Sequence, residues 1–274
     1  MNSLLNIISG FGGQLLIALL RFVTRTVFIH TLGNAYLGIN GYFADIISML
    51  SLTELGIDTA ITYKLYRPLA EHDEKRVRML LKFYKTAYRF VGTAILVLGG
   101  ILIPLLPVLV KDYDRLSVIG VNAPLVFILY LLQSASSYLF FAYRSVIMTA
   151  NQKKYVLDVA DYVITILTNA VQILVLVLFK DFLLYTGIVI LFNLLKNLVN
   201  AWISGKYYPE YFIREDGKLE KDEVREMFRD CGALFIYKVD NAVIKATDNM
   251  VLGAFAGLSA VGLYSNYLLF FTTI

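Results

Sequence analysis

The chain has 274 residues, of which 58% are hydrophobic and 17% charged, with a formal net charge of +4. A soluble domain carries nearer a quarter charged residues, so the composition excludes an ordinary soluble enzyme and points to an all-α, polytopic membrane helical bundle. A single cysteine, Cys231, excludes an intramolecular disulfide, and two histidines, His30 and His72, leave no zinc-ligand set.

The apolar runs predict spans at about 7–31, 38–63, 86–110, 117–147, 155–179, 182–204 and 232–256, with an eighth starting near Leu258. A β-barrel would show short alternating segments instead. The first run is too long for the apolar core of a signal peptide and has no basic flank or small-residue cleavage site, so it is expected to remain as a span. It carries Arg21 near its middle and Arg25 one turn on, a spacing that puts both on one helix face with Gln14 and Ala18. A cation at mid-depth costs about 2.5–3.5 kcal/mol even on lenient insertion scales, so such a residue faces protein or a wet cavity. Two readings follow: an interhelical salt bridge, or a cationic patch for an anionic cargo. Gly10, Gly12 and Gly13 in the same run suit either a bend or close helix packing.

The remaining spans carry polar stripes. Span 2 has Asp45, then Ser51, Glu54 and Asp58; span 4 has Gln133 and Ser137 above Arg144. Span 5 has Asp158, Asp161, Thr165, Thr168 and Gln172, and span 6 has Asn193, Lys196, Asn197, Asn200 and Ser204. Span 7 has Lys238, Asp240, Asn241, Lys245 and Asp248. One buried polar residue is interhelical glue, but five stripes imply a shared polar interior, most simply a water-filled cavity. Asp158, Glu54 and Asp58 lie toward span ends, where solvent reaches them.

The loops set the expected orientation. Eight Lys/Arg lie between Lys64 and Arg89, six between Lys206 and Arg229, and Lys153 and Lys154 follow span 4. The alternate loops hold only His30, then Lys111 and Arg115, then Lys180. The positive-inside rule then puts the N-terminus and both basic loops in the cytoplasm. Tyr63, Tyr66, Tyr84 and Tyr88 flank one basic loop, and Trp202, Tyr207, Tyr208 and Tyr211 the other, as interfacial anchors do. After Glu215-Asp216-Gly217, the spacing of Val224, Met227, Phe228 and Cys231 predicts an amphipathic helix along the membrane surface, linking two halves.

A shift of 224 residues lays Gly33-Asn34-Ala35-Tyr36-Leu37-Gly38-Ile39 on Gly257-Leu258-Ser259-Ala260-Val261-Gly262-Leu263 and sets Lys245 opposite Arg21 and Lys238 opposite Gln14. Span 7 thus reads as a second copy of span 1. A repeat after six spans restarts on the same side of the membrane and gives two parallel halves. The expected division is a six-helix N-terminal lobe at 1–204, a linker at 205–231 and the start of a C-terminal lobe at 232–274. The ending at YLLFFTTI, inside a span, suggests a fragment or partner helices on another chain.

The stretches Arg25-Thr26-Val27-Phe28-Ile29, Leu32 to Gly41, Leu50 to Ile57, Leu65-Tyr66-Arg67-Pro68-Leu69-Ala70 and Ala150-Asn151-Gln152-Lys153-Lys154-Tyr155 together resemble the polysaccharide flippases of the multidrug/oligosaccharidyl-lipid/polysaccharide exporter superfamily. The resemblance covers this whole chain but little more than the N-terminal half of that family's length. It implies two rocking lobes, driven by an ion gradient, that export a lipid-linked oligosaccharide on a polyprenyl diphosphate for surface polysaccharide biosynthesis. Under it Arg21, Arg25, Lys238 and Lys245 are candidates for the diphosphate. Gln14, Thr165, Thr168, Gln172, Asn193, Asn197 and Asn241 are candidates for the sugar-lining cavity. Glu54, Asp58, Asp240 and Asp248 are candidates for ion coupling or salt bridging. Lipid and the polysaccharide polymerase machinery are the expected partners; no cofactor, catalytic residue or nucleic acid is expected. A drug or cation exporter would instead have a cavity dominated by carboxylates. A membrane glycosyltransferase would need more than the DxD-like pair Asp112/Asp114. A non-transporting partner subunit is a third reading.

Overall fold

The computed structural model describes residues 2–51, 57–110, 113, 116, 120–212, 217, 219–227, 229 and 248–273. Glu54, Lys238, Asp240, Asn241 and Lys245 lie outside the described residues, as do Phe228 and Cys231. The described chain is an all-α bundle. Its longer helices are α1 (Asn2–Leu32), α2 (Asn34–Leu50), α3 (Ile57–Ala70) and α4 (Glu74–Leu102). The short α5 (Leu106–Leu109) precedes α6 (Ala123–Leu139) and α7 (Val146–Ala150), and then come α8 (Lys154–Leu178), α9 (Phe182–Tyr207) and α10 (Leu258–Thr273). Four stretches, Glu74–Leu109, Ala123–Arg144, Lys154–Leu178 and Phe182–Tyr207, are long and apolar enough to cross a membrane. The chain is a membrane protein. Large apolar side chains such as Phe90 (75% exposed) and Val108 (83%) cover its outside, as a lipid-facing surface requires.

Two expected spans differ in the description from one continuous helix. The second is described as α2, which ends at Leu50 with Ser51 as its cap, and as α3 from Ile57, and 52–56 lie outside the described residues. The fourth breaks after Leu139: Phe140 is extended and Phe141 takes a left-handed conformation at φ 58°. That conformation is rare for a bulky side chain. The chain then makes a 3₁₀ turn over Ala142–Arg144 and enters α7. The basic segment from Lys64 to Arg89 is mostly helical rather than a loop. It is the end of α3 and the first four turns of α4, joined by a tight turn with His72 at φ 56° and capped by Asp73 on the Arg76 amide.

The packing order follows the chain closely. α1 runs along α8, α8 along α9, α9 along α6, α6 along α4, and α4 along α3. α2 touches α1, α4 and α6 and lies along α10. Gly13 lets α1 approach α8 closely, since a Cβ there would fall 2.0 Å from the Tyr162 ring. Phe28 of α1 meets the rings of Phe182 and Tyr185 at 6.1 and 4.9 Å, and Phe43 of α2 meets Phe127 of α6 at 5.4 Å.

The α2–α10 contact has a reciprocal form. The 224-residue shift pairs Gly38 with Gly262 and Asn34 with Leu258. A Cβ on Gly38 would lie 1.8 Å from the Leu258 carbonyl oxygen, and one on Gly262 would lie 2.5 Å from the Asn34 carbonyl oxygen. Each helix start therefore packs on the glycine of the other, as a local two-fold relation requires. The preceding glycines also correspond: Gly33 has φ 90° and Gly257 φ 92°, conformations that only glycine adopts freely.

Several charged segments that are far apart in the chain meet at one end of the bundle. Asn6 donates to the Gln152 carbonyl, Arg78 donates to the Glu210 carbonyl, and the Lys153 ammonium lies over the rings of Tyr207 and Tyr208. The helix over 221–227 docks on the α3–α4 hairpin through Lys64–Glu226 at 3.0 Å and through an Arg76–Glu223 ion pair. Its apolar side packs against protein: Met227 is 2% exposed, in the same core as Leu65 and Leu80. Of the four apolar positions expected on this helix, Val224 and Met227 are described, and Met227 is packed in that core.

Two outcomes follow. Gly38→Ala should lower thermal stability by about 1–3 kcal/mol, the cost of overpacking against an immovable carbonyl. Gly100→Ala, with nothing within 4 Å of its Cβ, should not; equal behaviour of the two variants would remove the glycine contact as a constraint. The hydrogen bond from Lys64, and then its charge, hold the Glu226 carboxyl below the usual range. A lowered folded pKa contributes stability above the unfolded value that is lost as pH falls through the folded one. Docking of 221–227 should therefore loosen below the ordinary glutamate range and in high salt, read as faster amide exchange over 221–227.

Candidate functional site

The inner face of the bundle holds a polar cavity of about 380 Å³ between α1, α2, α6, α8 and α9. α1 contributes Arg21, Thr24, Arg25 and Phe28, and α2 contributes Leu37, Asn40 and Ala44. α6 adds Tyr130 and Gln133, α8 adds Asn169 and Gln172, and α9 adds Tyr185, Thr186 and Val189. Ala44, Tyr130 and Gln133 also line a second cavity of about 370 Å³, where Ser48, Ser51, Ser134, Ser137 and Asn193 stand. Sharing these three residues, the two make one trough lined with hydroxyls and amides. Among the described residues, no carboxylate lines either part.

The helical periodicity of α1 explains the cations. Arg21, Thr24, Arg25 and Phe28 fall at i, i+3, i+4 and i+7, so one stripe of the helix meets the cavity. Thr24 is buried and donates to Asn169 Oδ1 at 2.8 Å, which ties α1 to α8. Arg25 donates through Nε to Asn266 Oδ1 of α10 at 2.6 Å. Its Nη2 is buried with no hydrogen-bond partner among the described residues. No salt bridge joins Arg21 or Arg25 to a carboxylate among the described residues. A guanidinium held by an amide keeps further N–H donors in the same plane, and such donors can meet an anion.

Of the predicted site residues, Arg21, Arg25 and Gln172 come together in the first cavity and Asn193 lines the second, donating to Ser137 Oγ at 2.9 Å. Gln14 is exposed and does not line the trough. Thr165 and Thr168 donate back to the Asp161 and Ile164 carbonyls of their own helix. Asn197 is buried beside the trough, its Nδ2 without a partner among the described residues. Asp58 accepts from Tyr84 Oη at 2.7 Å, and Asp248 accepts from Tyr264 Oη at 2.7 Å; neither lines the trough.

Sequence reasoning passed over Thr24, Asn40, Tyr130, Asn169, Tyr185 and Thr186, which line the cavity. Asn169 carried a signal, since it stands three residues before Gln172 on the same helix face. Tyr130 hydrogen-bonds Asn40 across α6 and α2. Asp161 accepts from Asn200 at 2.8 Å and lies 3.8 Å from Lys196, a network that joins α8 to α9. Asp45 accepts from Asn249 Nδ2 at 2.5 Å, a second polar contact between the first helices and the segment after 247. Asn249 is the residue that the 224-residue shift sets opposite Arg25.

Thr24→Val keeps the shape of the side chain and removes its donor. The expected loss of stability is about 0.6 kcal/mol and at most about 1.7, the range for interhelical hydrogen bonds in membranes; an unchanged unfolding midpoint in detergent would show that the α1–α8 bond contributes nothing.

A family model described as polysaccharide biosynthesis protein matches residues 3–274. No curated protein and no solved structure shows a significant match to the chain. With a bundle of membrane-spanning helices around a polar interior and a family match along nearly its whole length, the chain belongs to the polysaccharide biosynthesis protein family.

Proposed function

We propose that the protein is a transporter, not an enzyme, and that it flips polyprenyl-diphosphate-linked oligosaccharides across the cell membrane. The observation that carries this reading is the trough, with two arginines at one part and neutral hydroxyls and amides through the rest. A diphosphate is a compact anion whose oxygens match the planar fork of arginine. Serine, threonine, asparagine and glutamine suit sugar hydroxyls. The lack of carboxylates among the described lining residues favours this cargo over the cationic drugs of a related exporter. Lys238 and Lys245 would add cations from the second repeat.

The reciprocal packing of Gly38 and Gly262 supports reading the segment from 232 onward as the start of a second lobe related to the first. Rocking of the two lobes would then open the trough to each side in turn. Asp45, with its Asn249 partner, joins Glu54, Asp58, Asp240 and Asp248 as a candidate for coupling that motion to an ion gradient. The gathering of the basic segments at one end supports a cytoplasmic N-terminus in the cell membrane under the positive-inside rule. The surface polysaccharide polymerase is the proposed downstream partner.

Expression in a cell that lacks its own flippase tests the reading. Surface polysaccharide should return with the wild-type protein and fall at least tenfold with Arg21→Ala, Arg25→Ala or Lys245→Ala at equal membrane levels. Arg25→Lys should retain part of the activity, since it keeps the charge and loses the fork. Full restoration by the alanine variants would make the arginines structural and remove the diphosphate argument.

A further inference from the structure

Arg25 is held from two sides. Its stem rises from α1, which the Thr24–Asn169 hydrogen bond and the contacts of Phe28 with Phe182 and Tyr185 fix against α8 and α9. Its head is held from 241 residues away, where Nε donates to Asn266 Oδ1 of α10 at 2.6 Å. Arg25 lines the trough, and Asn266 is not among its described lining residues. Asn266 therefore acts on the cavity through the guanidinium.

This contact belongs to the seam between α2 and α10. The start of α10 sits on Gly38, and further along a Cβ on Gly41 would lie 3.0 Å from Ser265 Oγ. The contact also has a counterpart across the seam. The 224-residue shift lays α10 on α2, sets Arg25 opposite Asn249 and sets Asn266 opposite Tyr42. Asn249 donates to Asp45, which stands three residues from Tyr42 on α2. Two side chains at one repeat position thus reach across to matching turns of the paired helices, the same two-fold relation that the glycines show.

A guanidinium carries its N–H donors in one plane. With Nε taken by Asn266, the edge formed by the two Nη groups remains to grip two oxygens of one phosphate. An arginine loses rotamer freedom when it binds, and an anchored Nε removes part of that loss in advance. Asn266 is neutral, so it orients the fork without cancelling its charge.

We propose that Asn266 is a positioning residue for the anion, presenting the Nη edge of Arg25 to a phosphate in the trough, so that the anion site is complete only while α10 is seated on α2. The inference rests on the reading of the trough as a diphosphate site. By linkage, an anion that needs the seated state also stabilises it, so cargo in the trough tightens the α2–α10 seam.

Binding of inorganic pyrophosphate to the full chain in detergent, followed together with amide exchange over 258–268, tests this. The wild-type protein should bind pyrophosphate, and saturation should slow exchange over 258–268; Arg25→Gln should lose both effects. Asn266→Leu removes the acceptor at similar size. It should weaken pyrophosphate at least about fivefold, the low end of coupling between sites, and speed exchange over 258–268. Asn266→Asp keeps the acceptor and adds a charge. It should hold α10 at least as firmly as wild type and still weaken pyrophosphate at least about fivefold, because the carboxylate competes for the Arg25 fork. A merely structural asparagine would leave the affinity of Asn266→Asp at the wild-type value, which overturns the positioning role. Wild-type affinity in Asn266→Leu, with binding lost in Arg25→Gln, overturns it as well and leaves the diphosphate reading standing. No binding by the wild type, or binding untouched by Arg25→Gln, overturns both. Pyrophosphate binding that leaves exchange over 258–268 unchanged overturns the link to the seam.

Discussion

Arg25 has to be accommodated in an apolar bundle, and much of the arrangement around it answers that demand. Its guanidinium reaches Asn266 of α10, and beside it Thr24 binds Asn169 and Gln172 faces the same space. A cation in lipid is costly, while one that faces a polar, water-accessible trough keeps most of its solvation. Polar residues on five helices therefore converge on one stripe of α1. The same stripe that would be a defect in a lipid-facing helix becomes the organising seam of the interior.

The second constraint is backbone contact between α2 and α10. Side-chain burial does little to drive association in lipid, so helices associate through close packing. Gly38 and Gly262 bring two backbones together with no side chain between them, and Gly33 and Gly257 make the turns that start the two helices. The contact also positions Asn266 for Arg25, and Asn249 meets Asp45 in the same region. The glycines thus determine which polar groups can meet across the seam.

At the charged end the rules are those of water. Lys64, Arg76, Glu223 and Glu226 pair across segments about 150 residues apart in sequence. Aromatic rings cover the stems of Lys153, Lys206 and Arg144. These contacts hold the α3–α4 hairpin, the 3₁₀ turn after α6 and the end of α9 in one layer. That layer gives the bundle a polar cap of definite shape rather than a set of separate loops.

Much of this was legible from residue order alone, because it depends on composition and period. Length and hydropathy mark the spans, the i, i+4 spacing of Arg21 and Arg25 puts them on one face, and the basic segments fall at one end by parity of crossing. The 224-residue shift pairs Gly38 with Gly262 from residue order alone. Other features needed three dimensions. Thr168 and Asn169 both stand within one turn of Gln172 and both bond back to their own helix, yet only Asn169 lines the cavity. Phe141 has no turn-forming side chain, yet the packing around it ends a helix there. Met227 has amphipathic spacing, and only the fold shows that it packs in the same core as Leu65 and Leu80 of the α3–α4 hairpin. A periodic pattern states that a face exists, but only the neighbours that surround that face determine whether it meets lipid, water or protein.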